Sequence, residues 1–199
     1  MSKIEFKYYG QFNKPVDQLL HEHYFIGVEN GTCMECGAVD GVNLSSTKFF
    51  EETLHWNCYN IEANPVSFKK LEVNRPKATN VNVALSNKEG EALFKHGPRY
   101  FLRSKIVTKK EKDNLEYITI PTTTYSNIIK NNSIDHLDLF VLDVEGHELN
   151  VLKNLCECSV QPDVLVIEHH AGRKNIEALI GDLYKFDFSK RVNSFYTKK

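Results

Sequence analysis

Five acidic side chains, Glu35, Asp40, Glu62, Asp143 and Glu168, stand at or just beyond the ends of apolar segments. Glu35 and Asp40 frame the stretch Glu35-Cys36-Gly37-Ala38-Val39-Asp40-Gly41. Small residues at 37, 38 and 41 let a backbone approach a ligand closely, and its N–H groups can meet a carboxylate. The stretch lacks the spacing and third glycine of GxGxxG, which disfavours a pyrophosphate. Glu62 closes the next apolar segment, where an acid can accept both hydroxyls of an adenosine ribose. The pair therefore points to a nucleoside ligand.

Two further segments carry acids and imidazoles together: Asp143-Val144-Glu145-Gly146-His147-Glu148 and Glu168-His169-His170. A sugar hydroxyl is a poor nucleophile because its pKa lies far above 7, so group transfer to it needs a base, a metal or both. Asp143, Glu168 and His169 fit that need either as base and orienting groups or as ligands for Mg²⁺ or Mn²⁺. Glu148 reads as a helix N-terminal acid favoured by the helix dipole. His147 fits either role. His170 is expected to face away, since successive residues of a continuing strand point to opposite sides. The remaining histidines are scattered and take no role.

These residues need a scaffold that delivers them to one edge. Leu137–Asp143 and Val164–Glu168 are apolar runs that read as buried strands, with another strand over Gly31–Cys36. Cys58–Glu62 and Val81–Leu85 supply two more. Helices are expected at 14–24, after a Ser45-Ser46-Thr47 cap with Phe49, Phe50 and Leu54, from Pro65, at 124–131, around Leu149–Leu155 and at 176–184. Asn13 is the expected cap of the first. Residues 185–192 and 194–198 read as an antiparallel pair. Strands alternating with helices imply a parallel sheet covered on both faces, with right-handed crossovers. Its ligands should gather beyond the carboxyl ends of the strands. Between 86 and 122 the pattern breaks into strand-like pieces at 92–94 and 117–120. The charged stretch after 105 has no core periodicity. It is read as a solvated loop or, more sharply, within residues 95–116, as a lid over an acceptor site.

The chain has 199 residues, enough for one domain without disulfides or a structural metal. Its 25 basic and 26 acidic residues are interspersed, giving a net charge of -1, which argues against a dominant polyanion-binding surface. No apolar run approaches the roughly 20 residues that span a bilayer. The polar start, Met1-Ser2-Lys3-Ile4-Glu5, does not read as a signal peptide, so a cytoplasmic protein without a membrane partner is expected. Cys33 and Cys36 have CxxC spacing, but in a strand positions i and i+3 point to opposite sides and cannot share one metal. The cysteines are read as reduced thiols.

In order along the chain, the same residues form a family pattern. It runs through Gly10-Gln11-Phe12 with Asp17, Glu35 to Gly41, and Leu44-Ser45-Ser46-Thr47 with Phe50-Glu51. Trp56 then precedes Ile61-Glu62-Ala63-Asn64-Pro65, followed by Asn74-Arg75-Pro76 and Ala84-Leu85-Ser86. Asp143 to Glu148 with Val151-Leu152 completes it. The ordered set resembles the FkbM-type methyltransferases. The resemblance implies a Rossmann-like class I methyltransferase fold of α/β class: a mostly parallel seven-stranded sheet with an antiparallel C-terminal strand. It also implies S-adenosylmethionine as methyl donor and a hydroxyl acceptor on a sugar, nucleotide-sugar or glycan.

Carried over by position, Glu35, Gly37, Ala38, Asp40, Gly41 and Ser45 would cradle the methionine and ribose part. Glu62 and Ala63 would hold the ribose, and Ala84 with Leu85 would flank adenine. Asp143, Glu145 and Glu168 would face the transferred methyl. Relatives often read Ser-Asn-Thr where this chain has Ser45-Ser46-Thr47. With one domain over 1–199, the acceptor would be recognised by an N-terminal helical extension (1–30), residues 95–116 and the strand-end loops. A ribose 2′-O-methyltransferase acting on nucleic acid is the same-class rival, disfavoured by the balanced charge. A non-catalytic binding protein on the same fold is the other.

Overall fold

Leu139–Leu142 and Val164–Glu168 are buried at every position, as strands covered on both faces require. The structure, a computed structural model, describes residues 6–97, 101–170 and 172–199. Its first part consists of α1 (Val16–Tyr24), β1 (Thr32–Cys36), α2 (Lys48–Leu54), β2 (Asn57–Ile61), α3 (Pro65–Asn74) and β3 (Thr79–Val81). Four strands follow: β4 (Ala84–Ser86), β5 (Gly90–His96), β6 (Lys105–Val107) and β7 (Glu116–Thr124). Alternation then resumes with α4 (Tyr125–Asn131), β8 (Leu139–Leu142), α5 (Glu148–Glu157), β9 (Val164–Glu168) and α6 (Arg173–Ile180). The strands β10 (Tyr184–Lys190) and β11 (Asn193–Lys198) come last.

The main sheet has seven strands in the order β10-β11-β9-β8-β1-β2-β3. Neighbours from β3 to β9 are parallel, and β11 runs antiparallel to β9 and β10. This is the expected sheet with its antiparallel C-terminal strand. The order turns around between β1 and β8, which places the switch point beside Gly37 and Asp143. Side chains alternate between two cores. Met34, Cys36, Phe140 and Leu165 pack with Ile128, Leu152 and Ile176 on one face. On the other, Cys33, Leu139 and Val166 pack with Leu20 and Phe49. Cys33 and Cys36 thus lie on opposite sides of the sheet, as strand alternation required.

Local chemistry sets the helix starts. Asn64 accepts the Val66 N–H at 3.0 Å and Pro65 occupies the first turn of α3. Thr124 caps α4 through Asn127 N–H at 3.1 Å. For α1 the cap position falls to Pro15 rather than Asn13. Asp17 is fully buried and accepts the N–H groups of Tyr9 (2.6 Å) and Gly10 (3.0 Å), pinning the preceding segment to α1. α6 ends at Ile180, and Tyr184, expected as helix, begins β10 instead.

One expected strand divides. Val81–Leu85 alternates as a single strand, yet β3 stops at Val81 and β4 joins a second sheet, ordered β4-β7-β5-β6. The cause is Asn82, whose side-chain amide donates to the Glu62 carbonyl oxygen at 2.7 Å and turns the chain out of the first sheet. Of the charged stretch, Lys105–Val107 forms β6 of this second unit, and residues 108–114 are the exposed loop between β6 and β7. Lys95 holds its far end through Asp113 at 2.6 Å and Glu111 at 2.5 Å. Residues 98–100 of the expected lid, and 1–5 of the N-terminal extension, lie outside the described residues. Among the described residues, no helix is long and apolar enough to cross a membrane.

Candidate functional site

The ends of β1, β2 and β8 are tied together at the carboxyl edge of the sheet. Gly37 N–H donates to Ile61 O at 2.9 Å, and Asp143 N–H donates to Cys36 O at 3.0 Å. A cleft of two adjoining lobes opens over this knot. The first is mainly apolar, with Ile61, Val83, Leu85 and Phe94 among its walls and Glu62 at one side. The second is more polar, bounded by Ser45, Ser46, Glu168 and Asn193. Gly37, Val39, Asp143 and Glu145 belong to both. Val39 has φ 52°, a left-handed conformation costly for a β-branched residue. That conformation aims its N–H at Glu62 Oε2, 2.8 Å away.

Glu62 is buried, with its other oxygen accepting Asn64 N–H at 2.7 Å. Burial pushes its pKa up to about 7 against those two N–H groups, which pull it down. Ala63, Ala84 and Leu85 line the same lobe, where they were expected. Ala38 and Ser45 line the second lobe. Glu35 does as well, but both of its oxygens are engaged. Ser45 Oγ and Thr47 Oγ1 each donate to Oε2 at 2.7 Å, and Ser46 N–H donates to Oε1 at 2.6 Å. Glu35 thus shapes the Ser45-Ser46-Thr47 wall of the lobe, because a buried acid must find donors.

Two expected ligand contacts move out of the cleft. Asp40 accepts the N–H groups of Val42 (3.0 Å) and Asn43 (2.9 Å), a local turn, and lines neither lobe. Gly41 is small for packing: a Cβ there would meet Leu71 Cδ1 at 2.5 Å and Arg75 Cγ at 2.7 Å. The motif keeps its glycine to seat the buried Arg75, whose guanidinium bonds the Gly41 carbonyl oxygen at 3.1 Å.

Where the lobes meet, four ionisable groups converge. Ligand atoms of Asp143, Glu145, Glu168 and His170 all lie within 4.8 Å of one another. His170 Nε2 is 3.4 Å from Glu168 Oε1 and 3.5 Å from Glu145 Oε2. The expected partner, His169, is instead turned aside, its Nδ1 3.0 Å from Ser194 Oγ. Strand alternation ends at Glu168. The chain turns there, with His170 N–H donating to Glu168 O and Gly172 N–H to His169 O, both at 3.0 Å. His170 therefore replaces His169 in the cluster. Burial, then the neighbouring Glu168, Glu145 and Glu148, hold the Asp143 carboxyl well above the usual carboxylate range. Its Oδ1 is buried without a hydrogen-bond partner among the described residues. Glu145 is raised by burial and eased by His170. Glu148 lies in the first turn of α5, accepting Gly146 N–H at 2.8 Å, as its dipole role predicts.

Other wall residues were left open by the sequence or not singled out there. His147 faces the first lobe with Nε2 3.0 Å from Ser86 Oγ, and burial pulls its pKa down. Leu102, Ser104 and Ile106 come from the segment read as loop or lid and wall the same lobe. Gln11, before α1, reaches the second lobe.

The profile of the methyltransferase FkbM domain matches residues 35–192. The hexuronic acid methyltransferase AglP of Haloferax volcanii is 26% identical over 120 residues, covering 58% of this chain and 48% of that protein. Among solved structures, methyltransferase FkbM from Methylobacillus flagellatus KT superposes with a TM-score of 0.54 at 14% identity. That match covers 88% of this chain and 46% of the other. The chain thus spans about half the length of both relatives. Aeropyrum pernix fibrillarin, solved with natively bound S-adenosylmethionine, gives a TM-score of 0.50 at 11% identity, over 92% of this chain and 73% of its own. These likenesses identify the Rossmann-like class I methyltransferase fold. With the profile matched over most of its length, the chain belongs to the FkbM methyltransferase domain family.

Proposed function

We propose that this chain transfers a methyl group from S-adenosylmethionine to a hydroxyl oxygen of a sugar or glycan. The observation that carries the reading is the two-lobed cleft, with Glu62 beside its apolar lobe and Asp143 and Glu145 where the lobes meet. An apolar slot between Leu85 and Phe94 suits a purine, and a carboxylate beside it suits the ribose hydroxyls. The second, polar lobe suits a hydroxylated acceptor. The resemblance in sequence to a hexuronic acid methyltransferase supports a sugar as that acceptor.

When bound, the donor supplies an electrophilic methyl carbon on a sulfonium. The chain's part is to hold the acceptor oxygen in line with it, where alignment alone is worth roughly 7–11 kcal/mol in the best cases. The C–O bond forms as the S–C bond breaks, leaving S-adenosylhomocysteine and a methyl ether. The acceptor's proton must go to a base. Three carboxylates and an imidazole this close share protons or a cation. In one version His170 Nε2 takes the proton, poised by Glu145 and Glu168. In the other, Asp143, Glu145, Glu168 and His170 would hold a Mg²⁺ or Mn²⁺, which would supply Lewis-acid help to the hydroxyl, and the buried Asp143 Oδ1, unpartnered among the described residues, fits such a ligand.

A screen with labelled donor against sugars, nucleotide-sugars and short glycans, with and without EDTA, tests the reading. Methyl ethers on a sugar hydroxyl are expected. Activity lost in EDTA and restored by Mg²⁺ or Mn²⁺ selects the cation, and indifference to EDTA selects His170. Transfer only to nucleic acid ribose, or failure to bind S-adenosylhomocysteine, would overturn it.

A further inference from the structure

A second depression lies on the same sheet edge, beyond the acid cluster. Its walls include Arg173 and Lys174 from the start of α6, Ser189, and Arg191 from the β10–β11 turn. It contains three cationic side chains and no acid. It adjoins the polar lobe through the backbone. Asn193, in the lobe, pairs in register with Glu168, and His169 N–H donates to Val192 O at 2.8 Å. Arg191 therefore sits two residues from one wall of the lobe, and adjacent residues are only about 3.8 Å apart at Cα.

Three features single these cations out. Arg173 pairs with Glu177 at 3.3 Å, whereas Lys174 is exposed and makes no ion pair among the described residues. Arg191 lies in the left-handed region at φ 54°, where glycine or asparagine would stand with less strain. Its guanidinium lies 5.0 Å over the ring of Phe12, the residue after Gln11 of the lobe. The third feature is α6 itself, whose cap position is Gly172, with no side-chain cap, so the positive end of the helix opens into the same depression.

Carboxylates in the cleft and cations on its rim make a polarised surface. It would orient a molecule with a neutral hydroxyl at one end and a negative charge at the other. Resting on the methyl-transfer reading, we infer that the acceptor carries an anionic group, a carboxylate or phosphate on the sugar, seated between Lys174, Arg173 and Arg191. The acceptor's charge fixes which hydroxyl reaches the acid cluster.

The test is titration of the intact chain, with and without S-adenosylhomocysteine, by glucose, glucuronic acid and glucose 1-phosphate, followed by NMR. The double charge reversal Lys174→Glu/Arg191→Glu and the milder Arg191→Gln are titrated alongside. Expected is at least tenfold tighter binding of one anionic sugar than of glucose, weakened by salt and lost in the double variant. Preference for glucuronic acid identifies a carboxylate, and preference for glucose 1-phosphate a phosphate. Arg191→Gln should weaken the anion severalfold at an unchanged melting temperature. Equal binding of all three sugars, no binding, or anion binding untouched by both variants would overturn the inference. Failure of S-adenosylhomocysteine to bind, with anion selectivity intact, would instead sink the methyl-transfer reading alone.

Discussion

A Cβ placed on Gly37 would stand 2.0 Å from the carbonyl oxygen of Asp143. Two strands separated by more than a hundred residues of chain meet there with no room for a methyl group. Gly37 also has φ 88°, so alanine meets both a clash and an unfavourable backbone. Gly37→Ala should destabilise the fold by at least about 2 kcal/mol, combining left-handed strain with overpacking. For a chain of this size that is a fall of about 4–8 °C in Tm. Calorimetric unfolding checks it, and an unchanged Tm would mean the strand junction relaxes freely.

Glu62 gives a prediction in pH. Its pKa is raised to about 7, so the native carboxyl holds its proton where the unfolded one has lost it. Its contribution to stability is full below the ordinary glutamate pKa of 4.5 and is lost as pH rises through about 7. Donor affinity should run the opposite way, because the ionised form accepts ribose hydroxyls better. S-adenosylhomocysteine should therefore bind more tightly at pH 8 than at pH 6, while the empty protein melts lower. Glu62→Gln should flatten both trends, and Glu62→Ala should weaken binding at least tenfold, given about 1.5–3 kcal/mol for a charge-assisted bond. Isothermal calorimetry across pH reads both signs.

The turn after Glu168 makes His170, not His169, the imidazole of the cluster. Asp143→Ala and His170→Ala should each lower turnover at least a hundredfold with S-adenosylhomocysteine affinity kept within about threefold. The loss at His170 should exceed that at His169. Single-turnover rates on the first acceptor found decide it, and the reverse order would return the role to His169.

The second sheet supplies a wall where the sequence suggested a lid. Leu102, Ser104 and Ile106 face the apolar lobe, whereas residues 108–114 line neither lobe. Hydrogen exchange at 102–107 should slow on binding S-adenosylhomocysteine alone, while 108–114 stays unprotected. Equal change in both segments would make the whole stretch a single moving cover.

The parallel sheet was legible because its signals are redundant. Leu137–Asp143 and Val164–Glu168 announce themselves by composition, and Gly37 and Glu62 by their place at strand ends. What sequence could not give was direction after a strand stops. His169 and His170 differ only in which way one turn sends them, and that is set by carbonyl bonds to Glu168 and His169. Asp40 and Gly41 were credited to the ligand because a glycine-rich turn looks alike whether it receives a substrate or an arginine. Val81–Leu85 alternates well enough to read as one strand, yet the chain leaves the first sheet at Asn82, whose amide bonds to the Glu62 carbonyl oxygen.

That amide has a thermodynamic consequence. Asn82 hangs the entry to the second sheet on the carbonyl oxygen of Glu62, the residue proposed to grip the ribose, so floor and roof of the cleft share a suspension point. A ligand that shifts one must do work on the other, and reciprocity makes that work equal in both directions. If a bound donor shifts that junction, the donor and any load on the second sheet change each other's effect by one and the same factor. Cutting the bond with Asn82→Ala would let the two halves of the cleft fill independently.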